Sequence, residues 1–114
     1  MRIALAACLF VATIAGSGML RAIAAEEMPV FRIEMKDGTI EPLRLEVPAG
    51  TAFKLELRNS GNSPVEFESL PLRKEKVLAP QSSSSLVFRR LAPGEYGFFD
   101  DFHPDAAKAL LVAK

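Results

Sequence analysis

The 114-residue sequence holds one cysteine, one histidine, one tyrosine and no tryptophan. The cysteine is Cys8, inside an apolar leader, so no thiol remains beyond residue 25. That excludes a disulfide framework, a thiolate metal site and a cysteine nucleophile from the rest of the chain. A single histidine without a nucleophile motif does not make a serine triad. No G-x-G-x-x-G or P-loop string occurs, and ~90 residues are too few for a complete Rossmann or barrel enzyme. A glycosidase cleft is equally out of reach at that size. Met28 and Met35 are too isolated to form a methionine-rich copper motif. Net charge is lacking too: 14 basic residues balance 14 acidic ones. Beyond the leader the balance is 12 to 14, and that mildly acidic surface argues against nucleic acid as a partner.

What is present begins with the leader. Residues 1–25 hold 19 apolar residues, with Arg2 ahead of the run Ile3–Ile14 and the small-x-small pattern Ala22-Ile23-Ala24 behind it. This reads as a signal peptide over residues 1–25, cleaved after Ala24 or Ala25. About 12 apolar residues fall short of the ~20 needed to span a bilayer, so no membrane insertion is expected after cleavage. Leu5-Ala6-Ala7-Cys8 has the letters of a lipoprotein box but comes too early in the leader. Residues 26–114 are then one exported domain.

Strand signals fill that domain. Phe31, Ile33 and Met35 alternate with Arg32, Glu34 and Lys36, and Asp37-Gly38 turns the chain. Leu43, Leu45 and Val47 alternate with Arg44 and Glu46 before Pro48-Ala49-Gly50. Phe53, Leu55 and Leu57 alternate with Lys54, Glu56 and Arg58, ended by Asn59-Ser60-Gly61-Asn62. Further strands are expected over 64–70, 72–78, 84–90 and 95–99. Residues 108–112 fit a closing strand, and 105–111 also fit a short helix after Pro104. Short strands punctuated at this spacing predict an all-β, antiparallel sandwich.

Three polar segments interrupt the pattern. In Val65-Glu66-Phe67-Glu68 the two carboxylates share one strand face, with Cα atoms roughly 6.6–6.8 Å apart. They repel unless a cation or water intervenes, and a plain solvated face fits them as well. Phe98-Phe99-Asp100-Asp101-Phe102-His103-Pro104 sets two acids and the histidine among phenylalanines. Such donors suit iron, copper or zinc, and the string also reads as a turn. Leu72-Arg73-Lys74-Glu75-Lys76-Val77 reads as a charged edge strand, in which Glu75 could face Glu66 and Glu68.

Together these segments resemble the cupredoxin-like domain of bacterial periplasmic iron-uptake systems. The resemblance runs through Ile40-Glu41-Pro42, Leu45–Gly50, Leu57-Arg58-Asn59, Val65–Glu68, Leu72–Lys76, Pro93-Gly94-Glu95-Tyr96 and the Asp-Asp-Phe-His run, and so covers nearly all of the domain. It implies a Greek-key β-sandwich. Blue-copper members use two histidines, a cysteine and often a methionine, a set this chain lacks. In the iron-uptake relatives acidic residues supplement or replace these ligands, which implies Glu66, Glu68, Asp100, Asp101 and His103 as metal ligands, with Glu75 as a sixth. Multidomain relatives carry cysteines at the positions of Ile40 and Asp100, and Ile40 cannot ligate a metal. The implied cofactor is copper and/or iron. The implied role is to assist oxidation of ferrous iron in the periplasm, beside an inner-membrane iron permease and a periplasmic iron-binding protein. The alternative is a copper or iron carrier without redox work.

Overall fold

Alternating apolar and polar side chains fold here as the strands they predict. In the computed structural model, which describes Val11 and residues 28–114, β1 (Val30–Lys36) buries Ile33 and Met35 and exposes Arg32, Glu34 and Lys36. The turn through Asp37 and Gly38 has φ values of 41° and 90°, and at the second of these only glycine is free of strain. It leads into a short strand that sequence reasoning did not separate, β2 (Thr39–Glu41). Then follow β3 (Arg44–Val47), β4 (Phe53–Asn59), β5 (Val65–Ser69) and β6 (Lys74–Leu78). The chain continues through β7 (Ser82–Phe88), β8 (Gly94–Asp100) and β9 (Ala109–Ala113). The tail is thus a strand and not a helix. No helix among the described residues is long and apolar enough to cross a membrane. The expected signal peptide lies outside the described residues apart from Val11.

The strands form two sheets, ordered β2-β1-β4-β7 and β3-β9-β8-β5-β6. This is the all-β sandwich that the alternation predicts, in the cupredoxin-like form that the resemblance implies. The expected antiparallel pairing fails in two places, where β1 lies parallel to β4 and β3 parallel to β9. Parallel neighbours need a crossover, and here β3, in the opposite sheet, lies between β1 and β4 along the chain.

Aromatic pairs fill the space between the sheets. Phe53 stacks on Phe88 and Phe67 on Phe98, each pair with ring centroids 5.0 Å apart. Burying one such ring is worth roughly 1.5–3 kcal/mol. The consequence for β5 is directional: Val65, Phe67 and Ser69 are buried, so Glu66 and Glu68 must face outward.

Candidate metal centre

Three glutamates meet on the outer face of the five-stranded sheet. The antiparallel register of β5 and β6 sets Glu68 directly opposite Glu75 and Glu66 opposite Val77. One carboxylate oxygen from each of Glu66, Glu68 and Glu75 lies within 4.8 Å of the others. Glu66 and Glu68 are half-buried, while Glu75 is exposed and leaves the cluster open to solvent. The Oε2 atom of Glu68 is buried and has no hydrogen-bond partner among the described residues.

Their protonation reflects this crowding. Burial, and then the adjoining Glu75 carboxyl, push Glu68 above the ordinary carboxylate range, with further contributions from Glu66 and Asp101. Burial, followed by the charges of Asp101 and Glu75, raises Glu66 in the same way. The repulsion of neighbouring carboxylates is relieved by a shared proton, a cation or screening water. Asp101 therefore belongs to this acidic face, beside Glu66.

Asp100 and His103 lie elsewhere. Phe98 and Asp100 are buried, so the next residue, Asp101, turns to the outer face. Asp100 has a fully buried side chain whose Oδ1 accepts the Glu66 N–H at 2.9 Å and the Phe102 N–H at 3.0 Å. Its Oδ2 lies 2.7 Å from Nδ1 of His103. The Asp101 N–H returns to the Glu66 carbonyl at 2.9 Å. Asp100 thus fastens β5 to the end of β8, and His103 spends Nδ1 on Asp100, leaving Nε2 as its remaining donor atom. Of the six residues singled out from sequence, the structure brings Glu66, Glu68 and Glu75 together with Asp101 beside them. It sets Asp100 and His103 apart as a pair. Ile40 is a core residue with no donor to offer.

Two positions escaped the sequence reading, which took them only as turn residues. Asn59 is fully buried, and its Nδ2 donates to the carbonyls of Ser63, Leu78 and Ala79 at 2.9–3.1 Å. Its Oδ1 accepts from Gly61 N–H at 2.9 Å. Asp37 Oδ1 accepts from the Ser63 hydroxyl and from the Asn62 and Ser63 N–H groups. Those bonds, the Ser63 hydroxyl first, hold Asp37 below its usual range. Both residues anchor the loop that delivers β5 and its glutamates. An Asn at the end of an alternating strand was the only signal.

These shifts predict opposite limbs in the pH dependence of stability. Between 4.5, the ordinary glutamate value, and the raised values of Glu66 and Glu68, the folded protein holds more protons than the unfolded one. Stability of the metal-free protein therefore falls as pH rises through that window. Asp37, depressed from 3.8, works the other way, and its contribution is lost as pH falls below that value. Thermal melts of metal-free protein from about pH 3 to pH 7 should pass through a maximum. The double variant Glu66→Gln/Glu68→Gln should flatten only the upper limb. An upper limb that persists in that variant would assign the effect to other groups.

Comparison with known proteins places the fold in a wider set. A family model described as a cupredoxin-like domain matches residues 1–113. An uncharacterized protein of Rickettsia prowazekii (strain Madrid E) is 36% identical over 81 residues, which make up 71% of this chain and 65% of that protein. The chain thus spans just under two thirds of that relative's length. Among solved structures, it is similar to a purple cupredoxin from Nitrosopumilus maritimus. That match has 19% identity and a TM-score of 0.56, over 73% of this chain and 98% of the other. It is also similar to a reduced auracyanin from Roseiflexus castenholzii, with 14% identity and a TM-score of 0.61, over 75% and 96%. At such identities the likeness is one of fold.

Proposed function

The chain belongs to the cupredoxin-like domain family, and from that premise we propose that it is an exported metal-binding protein whose cation is held by Glu66, Glu68 and Glu75. The observation that carries this reading is the buried, unpartnered Oε2 of Glu68, on a side chain whose carboxylate gathers with those of Glu66 and Glu75.

The donor set selects among metals. A blue-copper thiolate centre does not fit, because residues 26–114 contain no cysteine. Their single imidazole, His103, already uses Nδ1 on Asp100. An all-carboxylate site suits hard cations, which favours ferric iron over copper as the ion at the glutamates. Carboxylates bind Fe(III) more tightly than Fe(II), which lowers the potential of the couple and favours loss of the electron. The chain's own contribution is negative charge assembled before the ion arrives, on a β5 strand held by Asp100, Asn59 and Asp37.

The proposed role follows the family resemblance: assisting ferrous iron oxidation in the periplasm, beside an iron permease in the inner membrane and a separate iron-binding protein. The exposed position of Glu75 also suits the second reading, a carrier that exchanges iron or copper with solvent or a partner and performs no redox work. Anaerobic mixing of the mature protein with Fe(II) and a one-electron acceptor that does not itself bind iron, oxidised cytochrome c, separates them. Ferric formation faster than in a protein-free control is the expected result. A rate equal to the control, with metal still bound in calorimetry, would leave the carrier reading. Absence of any Fe(III), Fe(II) or Cu(II) binding would overturn both.

A further inference from the structure

The opposite, four-stranded sheet ends in an edge strand unlike the other edges of the sandwich. A two-layer sandwich has four edge strands, each with one side of its backbone unpaired, and proteins blunt such edges with charge, proline or brevity. Three of the four edges here follow that rule. β2 is three residues long and is followed by Pro42. β3 carries Arg44 and Glu46 in four residues. β6 carries Lys74, Glu75 and Lys76 in five.

β7 does not. It is seven residues long, Ser82-Ser83-Ser84-Ser85-Leu86-Val87-Phe88, without a charge or a proline. Among the described residues it pairs only with β4, over its whole length, and closes the sheet on that side. Val87 is 48% exposed, and Leu86 is only half-buried although it packs against the core.

The charge around this bare edge is one-sided. Residues 28–114 hold twelve basic and twelve acidic side chains. Six of the basic ones border β7. Lys54 and Arg58 lie opposite Val87 and Ser83 in the β4 register, with Arg58 Nη1 3.4 Å from the Ser83 hydroxyl. Arg89 and Arg90, both exposed, follow its last residue. Lys74 reaches across from β6 to lie 5.9 Å from the centre of the Phe88 ring. Lys76 shares that inward face, since it pairs with buried Phe67. The nearby acids do not cancel them: Glu56 is engaged by Arg32 at 3.6 Å, and Glu75 faces the other side of β6.

We propose that β7 is a docking edge for an extended, acidic peptide segment of a partner protein, which adds to the four-stranded sheet as a fifth strand. Backbone hydrogen bonds along the uncharged serine run would supply the pairing, and alternate side chains would meet Val87 on one face and Leu86 on the other. The surrounding lysines and arginines select an acidic segment and disfavour a second copy of this chain, whose edge would bring the same six cations with it.

The test uses a fluorescein-labelled seven-residue peptide of alternating glutamate and valine, with a lysine–valine peptide as control. Binding is followed by anisotropy on metal-free mature protein, so that the outcome does not depend on the glutamate site of the other sheet. The acidic peptide should bind at least tenfold more tightly than the basic one and weaken as salt is raised. Amide hydrogen exchange should show new protection at alternate residues of β7, a signature of strand pairing that loose ionic attraction cannot produce. Val87→Glu should weaken binding about tenfold. Its new carboxylate lies opposite Lys54, so the fold is not at risk, and Arg89→Ser/Arg90→Ser tests the charge without touching the strand. Equal affinity for the two peptides, or protection elsewhere than β7, would overturn the proposal. So would a concentration-dependent dimer with β7 protected in the absence of peptide, which would give the edge to a second copy.

Discussion

Glu68→Gln is expected to weaken Fe(III) binding by about 100-fold, or ~2.7 kcal/mol, while raising the melting temperature of the metal-free protein. Glutamine keeps the size of the side chain and removes one negative charge from a face where three carboxylates stand within 4.8 Å of one another. In the metal-free state burial and the adjoining Glu75 disfavour the ionised form of Glu68, so the neutral amide relieves repulsion. With metal bound, the same change removes a ligand oxygen and a unit of charge. The two effects have opposite signs, and a purely solvated glutamate would show neither. Calorimetric titration with ferric nitrilotriacetate, paired with thermal melts before and after metal addition, reads both. Unchanged affinity together with an unchanged metal-free melt would mean that Glu68 takes no part in a site.

The second large effect concerns Asp100, whose role is architectural. Asp100→Ala removes the acceptor for the Glu66 and Phe102 N–H groups and the partner of His103 Nδ1. Each buried donor left unsatisfied costs about 1–3 kcal/mol, so a loss of roughly 2–5 kcal/mol is expected. For a domain of this size each kcal/mol moves the melting temperature by about 4–8 °C, which puts the drop at roughly 8 °C or more. Asp100→Asn should be far milder. Its carbonyl oxygen still accepts both N–H groups, and its amide can donate to a neutral His103 Nδ1. The contrast between the two variants isolates the hydrogen bonds from the charge. An alanine variant melting within a degree or two of wild type would remove Asp100 from this role.

Legibility from sequence followed the range of each interaction. The face of Glu66 and Glu68 was readable because a strand alternates with a period of two, and Phe67 between them commits the other face to the core. Glu75 was a weaker inference: it sits in a charged stretch whose register against β5 depends on the turn through residues 70–73, where Arg73 adopts φ 55°. The C-terminal tail fitted a closing strand better than the short helix it also allowed, and pairing with both β3 and β8 bears the strand out.

Composition and alternation by themselves determined an all-β domain without thiol chemistry and put paired carboxylates on one outward face. These depend on residue type and on the two-residue repeat, both local properties. Only the tertiary structure decided that Glu75 completes the glutamate cluster and that Asp100 turns inward to hold β5 while Asp101 stays on the acidic face. It also decided that His103 spends Nδ1 on Asp100, and that Asn59 and Asp37 anchor the loop before β5. The anchoring bonds Asp100–Glu66, Asn59–Leu78 and Asp37–Ser63 join segments far apart in the chain. The Glu68–Glu75 and Asp100–His103 contacts depend on the register and turn that the fold sets. The cost of leaving a buried polar group unpaired selects the partner only once packing has brought the candidates together.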